Sequence, residues 1–150
     1  MQNIKAELKA IIGKTLDDKV ISLSAEIISL KESRDSDSKS SVGDKYETSR
    51  AMAHIEIDKH ERQLNATKQL GNEINKINPL RISETVEFGS VVYTSNGNYF
   101  IAVAQGKIDL DGKSFYAISL ASPIGKAMFG KKCGDILMFN GNSFTINQIE

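Results

Sequence analysis

The chain has 150 residues, 19 Lys+Arg against 19 Asp+Glu, 40% hydrophobic residues, two Pro and no Trp. That length holds one ordinary domain or two small ones, and the zero formal charge argues against a broad nucleic-acid surface, which needs a basic excess. Cys133, the lone cysteine, excludes an internal disulfide framework and a Cys-rich zinc site and fits a reducing compartment.

No apolar run approaches the roughly 18 to 20 residues of a membrane span. Met1–Ala10 alternates charged and apolar residues, unlike a secretory leader. The expectation is a soluble, cytoplasmic protein with no membrane partner. Composition then divides the chain near Pro79. Residues 1–82 carry 14 of the 19 basic residues and 13 of the 19 acidic ones, yet one aromatic, Tyr46; the later part has nine aromatics and eight of the 11 glycines. A charged, aromatic-poor stretch reads as helix with solvated faces, and a Gly-punctuated, aromatic-rich one as strands and turns. Two domains are therefore expected, 1–78 and 79–150.

In chain order, Ile4, Leu8, Ile12, Leu16, Val20, Leu23, Ile27 and Leu30 recur at three- and four-residue steps, the stripe of an amphipathic helix. Gly13 and Asp17-Asp18 leave open whether this is one helix or two. A second stripe, Tyr46, Ala53, Ile57, His60, Leu64, Thr67, Gly71 and Ile74, has the steps of a coiled-coil seam. Neither stripe can be buried alone, so an antiparallel helical hairpin is expected. Its tip falls near 33–47, where Ser33 to Gly43 is rich in Ser and Asp without apolar periodicity.

Beyond Pro79, strands are expected over Val86–Thr94, Tyr99–Ala104, Ser114–Leu120, Ile136–Phe139 and Ser143–Ile149. Asn96-Gly97, Asp111-Gly112 and Asn140-Gly141 mark the turns. Pro123–Phe129 reads as a short helix with Ser122 as N-cap. The class is α+β: a coiled-coil hairpin, then a small antiparallel sheet with one helix.

Few side-chain patterns carry chemistry. Asp44 and Glu47, three apart at a helix start, share a face and can converge on one hard cation such as Mg²⁺. The same pair reads also as a capping box, with Asp44 as N-cap, which is the commoner use of that spacing. Asp35-Ser-Asp37-Ser-Lys39 opens like a calcium loop, but Ser40 and Tyr46 stand where Gly and Glu are required. His54 and His60 are six apart, wrong for a metal pair on one helical face. Cys133 follows Lys131 and Lys132 but has no His base near in sequence. No P-loop, dinucleotide fingerprint or nucleophile elbow is present.

The run Ser122-Pro123-Ile124-Gly125-Lys126-Ala127-Met128-Phe129-Gly130-Lys131-Lys132-Cys133-Gly134-Asp135 resembles the carboxy-terminal motif of the bacterial Gre transcript-cleavage factors. There a Ser-Pro-Ile segment leads a short helix, and Gly-Lys, two variable residues and Gly-Asp follow. Gly43-Asp44-Lys45-Tyr46-Glu47 is similar to that family's Gly-Asp-x-x-Glu tip, in the expected order between two helical arms.

The resemblance implies an FKBP-like globular part that docks at the rim of the RNA polymerase secondary channel, with Ser122, Pro123 and Ile124 among its polymerase contacts. It implies a hairpin that enters the channel, indirect contact with the RNA 3′ end, and no small-molecule substrate. Asp44 and Glu47 match the acidic pair that helps hold a second Mg²⁺, shared with the polymerase, during cleavage of backtracked RNA. The chain would stimulate the polymerase's own activity and not be a free-standing enzyme. Thr48 and Ala51 stand where the family's tip has Asn and Tyr, which keeps a non-cleaving secondary-channel regulator as an alternative. A coiled-coil interaction adaptor is a further alternative, and a prolyl isomerase built on the sheet domain a third.

Overall fold

The computed structural model describes residues 3–37 and 43–150, with the side chains of Asp37, Asp44 and Lys45 outside that description. Nine elements follow in order: α1 (Ile4–Asp37), α2 (Asp44–Asn75), β1 (Val91–Thr94), β2 (Gly97–Ile101), β3 (Gly106–Leu110), β4 (Lys113–Ile118), α3 (Pro123–Met128), β5 (Ile136–Phe139) and β6 (Asn142–Ile149). The fold is α+β, a helical hairpin followed by a mostly antiparallel sheet with a short helix. By compactness the chain forms two units, Met1–Gly13 with Asn72–Glu150, and Lys14–Gly71.

Asn3 starts α1. Its Oδ1 accepts from the Ala6 N–H at 3.0 Å, satisfying one of the four donors that a helix start leaves unpaired. The helix runs unbroken through Gly13 and Asp17-Asp18. These residues lie beside the buried Ile12 and Leu16 rather than in the stripe, and Lys14 pairs with Asp18 one turn on at 2.9 Å. A single Gly costs about 1 kcal/mol relative to Ala, too little to break a helix held by its packed face. α2 ends at Asn75, three residues before Asn78-Pro79, a step that helix cannot pass. Asn78 then turns the chain, its Oδ1 accepting from Leu80 N at 2.9 Å and its carbonyl from Arg81 N at 3.1 Å.

In the unit Lys14–Gly71 the arms meet along the expected stripes. Leu16, Leu23 and Ile27 of α1 are buried, as are Ile57 and Thr67 of α2. Thr67 keeps its hydroxyl satisfied inside the seam by donating to the Gln63 carbonyl at 2.7 Å. The arms run antiparallel: Arg34 of α1 lines one hollow with Tyr46 and Arg50 of α2, while Glu26, two turns earlier in α1, faces His60 at 2.9 Å.

In the other unit the strands form one six-stranded sheet in the order β3-β4-β2-β1-β6-β5. Val92, Tyr99, Ile101, Leu137, Phe144 and Ile146 line a core that Met128 of α3 and Val86 complete. Alternate residues, including Val91, Phe100 and Phe115, are buried too, so the central strands are covered on both faces. Tyr93 meets Phe115 edge-on, centroids 6.0 Å apart.

Three features differ from the sequence reading. β2 and β4 pair in parallel, because the β3–β4 hairpin docks through β4 rather than through the strand next in sequence. β3 itself was not expected: Gly106-Lys107-Ile108-Asp109-Leu110 is a largely exposed edge strand, too polar to stand out from its turns. The first strand begins at Val91 and not at Val86. Val86 instead donates its N–H to the Lys131 carbonyl at 2.9 Å and is fully buried away from the strand.

Candidate functional site

The first turn of α2 holds the acidic pair. Both Tyr46 N (3.1 Å) and Glu47 N (3.3 Å) donate to the Gly43 carbonyl. The residue whose carbonyl accepts the first intrahelical bond is the N-cap, so that position belongs to Gly43. Asp44 is then the first helical residue and Glu47 the fourth. This corrects the capping-box reading, which needs Asp44 one position earlier. Both residues remain in the first turn of α2, three apart in sequence, where the helix dipole favours negative charge. Glu47 is exposed. The remainder of the expected tip, residues 38–42, lies outside the described residues.

Around this turn the structure places groups that the sequence reading did not single out. Arg50 donates to Tyr46 Oη at 2.9 Å, and Arg34, only 19% exposed in its side chain, pairs with Asp35 at 3.1 Å. Arg34, Tyr46, Ser49 and Arg50 line one small hollow between the arms. The sequence signal was present: Arg34 continues the 27–30–34 stripe of α1, and Arg50 stands one turn after Tyr46. Long side chains at seam edges cover apolar surface with their stems and keep the charge in water.

His60 sits in the seam as expected, 18% exposed in its side chain. Its Nε2 faces the Glu26 carboxylate at 2.9 Å and its Nδ1 the Glu56 carbonyl at 2.8 Å. It ties the two arms together. His54 is exposed. Among the described residues no group of three or more His, Cys, Asp or Glu side chains converges on one cation position. An all-oxygen pair still fits Mg²⁺, which commonly takes one or two protein carboxylates and completes its shell with water and substrate oxygens. Asp44 and Glu47 have that chemistry as part of a shell.

Ser122, Pro123 and Ile124 belong to the other unit and open α3. The Ser122 hydroxyl accepts from Gly125 N at 3.0 Å and donates to the Ser119 carbonyl at 2.7 Å. Pro123 occupies the first helical position, where a missing N–H costs nothing, and Ile124 packs against the sheet core. Gly125 follows because a Cβ there would stand 2.1 Å from the Ser119 carbonyl oxygen. The motif thus has a complete structural account as a helix start clamped onto the preceding loop. Pro123 alone of the three is exposed. Cys133 is exposed and donates to the Asn147 carbonyl at 3.0 Å.

One open hollow of about 410 Å³ lies within this unit, bordered by Asn3, Lys5, Leu80, Arg81, Ile82 and Glu150. Lys5 is buried to 5% exposure and donates to the Arg81 carbonyl at 2.6 Å. Burial lowers its pKa, an effect that the nearby Glu150 and Glu87 carboxylates oppose. Arg81 in turn grips Glu87 at 2.5 Å, which holds that carboxyl below its usual range. Among the described residues no helix is long and apolar enough to cross a membrane.

No family model matches the chain, and no curated protein matches it. Among solved structures, the transcription factor Gfh1 aligns at 19% identity over 91% of this chain and 92% of that one, with a TM-score of 0.37.

Proposed function

We propose that this chain is a Gre-type transcription elongation factor that binds RNA polymerase and stimulates cleavage of backtracked RNA. The observation that carries the reading is the position of Asp44 and Glu47, three residues apart in the first turn of α2, within the run Gly43–Glu47 that resembles the Gre tip. The Ser122–Asp135 resemblance supports it independently.

On this reading the chain supplies ligands and the polymerase supplies the catalytic framework. A shared Mg²⁺ would provide charge stabilisation and water activation at the scissile phosphate. Asp44 and Glu47 give it two carboxylates. The unpaired N–H groups of a helix start favour anionic side chains there. The seam contacts of His60, Thr67 and the buried leucines and isoleucines keep the two arms in one register. The Ser122–Ile124 segment serves as part of the polymerase contact, with Pro123 as its exposed member. The protein acts in the cytoplasm and is not an enzyme by itself.

The departures at Thr48 and Ala51, both exposed, favour one second reading: a regulator that occupies the same channel without stimulating cleavage. Stalled, backtracked complexes separate the two. Cleavage that rises with the wild-type chain and disappears with Asp44→Asn plus Glu47→Gln supports the first reading. Polymerase binding with no cleavage by either form supports the second. Absence of polymerase binding defeats both.

A further inference from the structure

The two edges of the six-stranded sheet are built differently. β3, at one edge, sets Lys107 and Asp109 into solvent 3.8 Å apart, and charges on an edge strand discourage pairing with another chain. β5, at the other edge, is Ile136-Leu137-Met138-Phe139, with no charge and no proline. Ile136 is 66% exposed and Met138 71%.

The ladder shows which backbone groups of β5 are free. Ile146 N donates to the Asp135 carbonyl at 2.9 Å, and the two-residue turn Asn140-Gly141 closes Phe139 against Asn142. In an antiparallel ladder the hydrogen-bonded pairs alternate. Leu137 and Phe139 therefore aim their N–H and C=O groups at β6, as Asp135 does its C=O (its N–H donates to the Lys132 carbonyl at 3.0 Å), whereas Ile136 and Met138 aim theirs out of the sheet. The outward backbone groups and the exposed side chains belong to the same two residues.

We infer that β5 is a self-association edge, pairing antiparallel with β5 of a second copy about a two-fold axis through Leu137. Three constraints favour a second copy. A two-fold perpendicular to the sheet must match residues on the same face, and this axis sets Ile136 opposite Met138 of the other copy and Leu137 opposite its own equivalent. The matched pair Ile136/Met138 is the one with outward backbone groups, so four inter-chain hydrogen bonds form and none is left unmade within the pairing. The four exposed side chains then make one apolar quartet. No charge faces a like charge: Asp135 stands opposite Phe139. Moving the axis to Met138 would place Ile136 opposite Asn140, whose φ of 52° has already left the strand. Such an isologous contact closes on itself and joins two sheets into one.

The test uses the full chain in sedimentation velocity at rising concentration. A monomer–dimer equilibrium is expected for the wild type and its loss in both Ile136→Lys and Met138→Lys, with far-UV circular dichroism unchanged. Independently, in a Cys133→Ser background, joint Ile136→Cys and Met138→Cys variants should cross-link on oxidation, because directly opposed antiparallel residues lie about 5.5 Å apart between Cα atoms. Neither single cysteine should cross-link. A wild type that stays monomeric at every concentration overturns the inference, as does a dimer that survives both lysine variants. Cross-linking by Met138→Cys alone would overturn the register.

Discussion

The Lys5 ammonium donates to the Arg81 carbonyl at 2.6 Å, joining two residues 76 positions apart in the chain. The first turn of α1 is thereby tied to the segment that leads into the sheet. Lys9 repeats the arrangement one turn later, reaching the Ile77 carbonyl at 2.7 Å. These lysines supply donors to carbonyls that follow the end of α2. Lys9 also reaches the carbonyl of Asn75, the last residue of α2, at 3.4 Å, one of the acceptors that a helix end leaves unpaired.

Replacing Lys5 by Ala removes both that bond and the stem packed along the helix base. The loss should be about 2 kcal/mol, and Lys5→Met, which keeps the stem, should lose about 1 kcal/mol. Urea denaturation of the two variants measures the difference. Equal losses would mean that the stem contributes nothing.

Tyr93 gives the alkaline signature. Burial, together with the Glu150 carboxylate beside its hydroxyl, raises its pKa to about 12. An unfolded tyrosine ionises near 10. Between these values the folded state holds a proton that the unfolded state has released. The contribution is therefore complete below about pH 10 and is lost as pH rises towards 12. Absorbance titration should show this late ionisation, and Tyr93→Phe should remove it. An ionisation at the ordinary value would contradict the burial.

Gly125→Ala forces a Cβ to within 2.1 Å of the Ser119 carbonyl oxygen. Backbone must move, and the expected cost is above about 3 kcal/mol, in the range of overpacked sites. Ser122→Ala, which removes the N-cap bond, should cost only about 1 kcal/mol. Thermal unfolding ranks the two, and the reverse order would contradict the packing at α3.

Asp44 has a stability signature of its own. It is the first helical residue and Gly43 holds the N-cap position, so its expected contribution is that of a negative charge at a helix start. Asp44→Ala should therefore change stability by about 0.3 to 1 kcal/mol, with most of the change screened by salt. A larger, salt-insensitive loss would restore Asp44 to the N-cap.

Much of the architecture was legible because helical burial is periodic. Every residue of the α2 stripe from Tyr46 to Ile74 is buried or half-buried. A three-four alternation holds wherever the partner helix lies. β5 and the start of α3 were equally legible, one as a short apolar run before Asn-Gly, the other from Ser-Pro. The parallel pairing of β2 with β4 left no local trace, since strand order depends on which edge a hairpin docks against. The capping offset was hidden for a related reason: Gly43 and Asp44 are both acceptable N-caps, and the hydrogen bonds to the Gly43 carbonyl decide between them. Arg34 and Arg50 were overlooked because charged residues at seam edges read as solvated until the opposing arm is placed. Asp44 and Glu47 were visible as a pair, but their proposed partner, the polymerase, is not encoded in their spacing.

RNA cleavage in backtracked elongation complexes with Mg²⁺, comparing wild type with Asp44→Asn/Glu47→Gln, tests the proposed function most directly. The account predicts stimulated cleavage by the wild type and none by the double variant, with polymerase binding retained by both. Full cleavage by the double variant would contradict it.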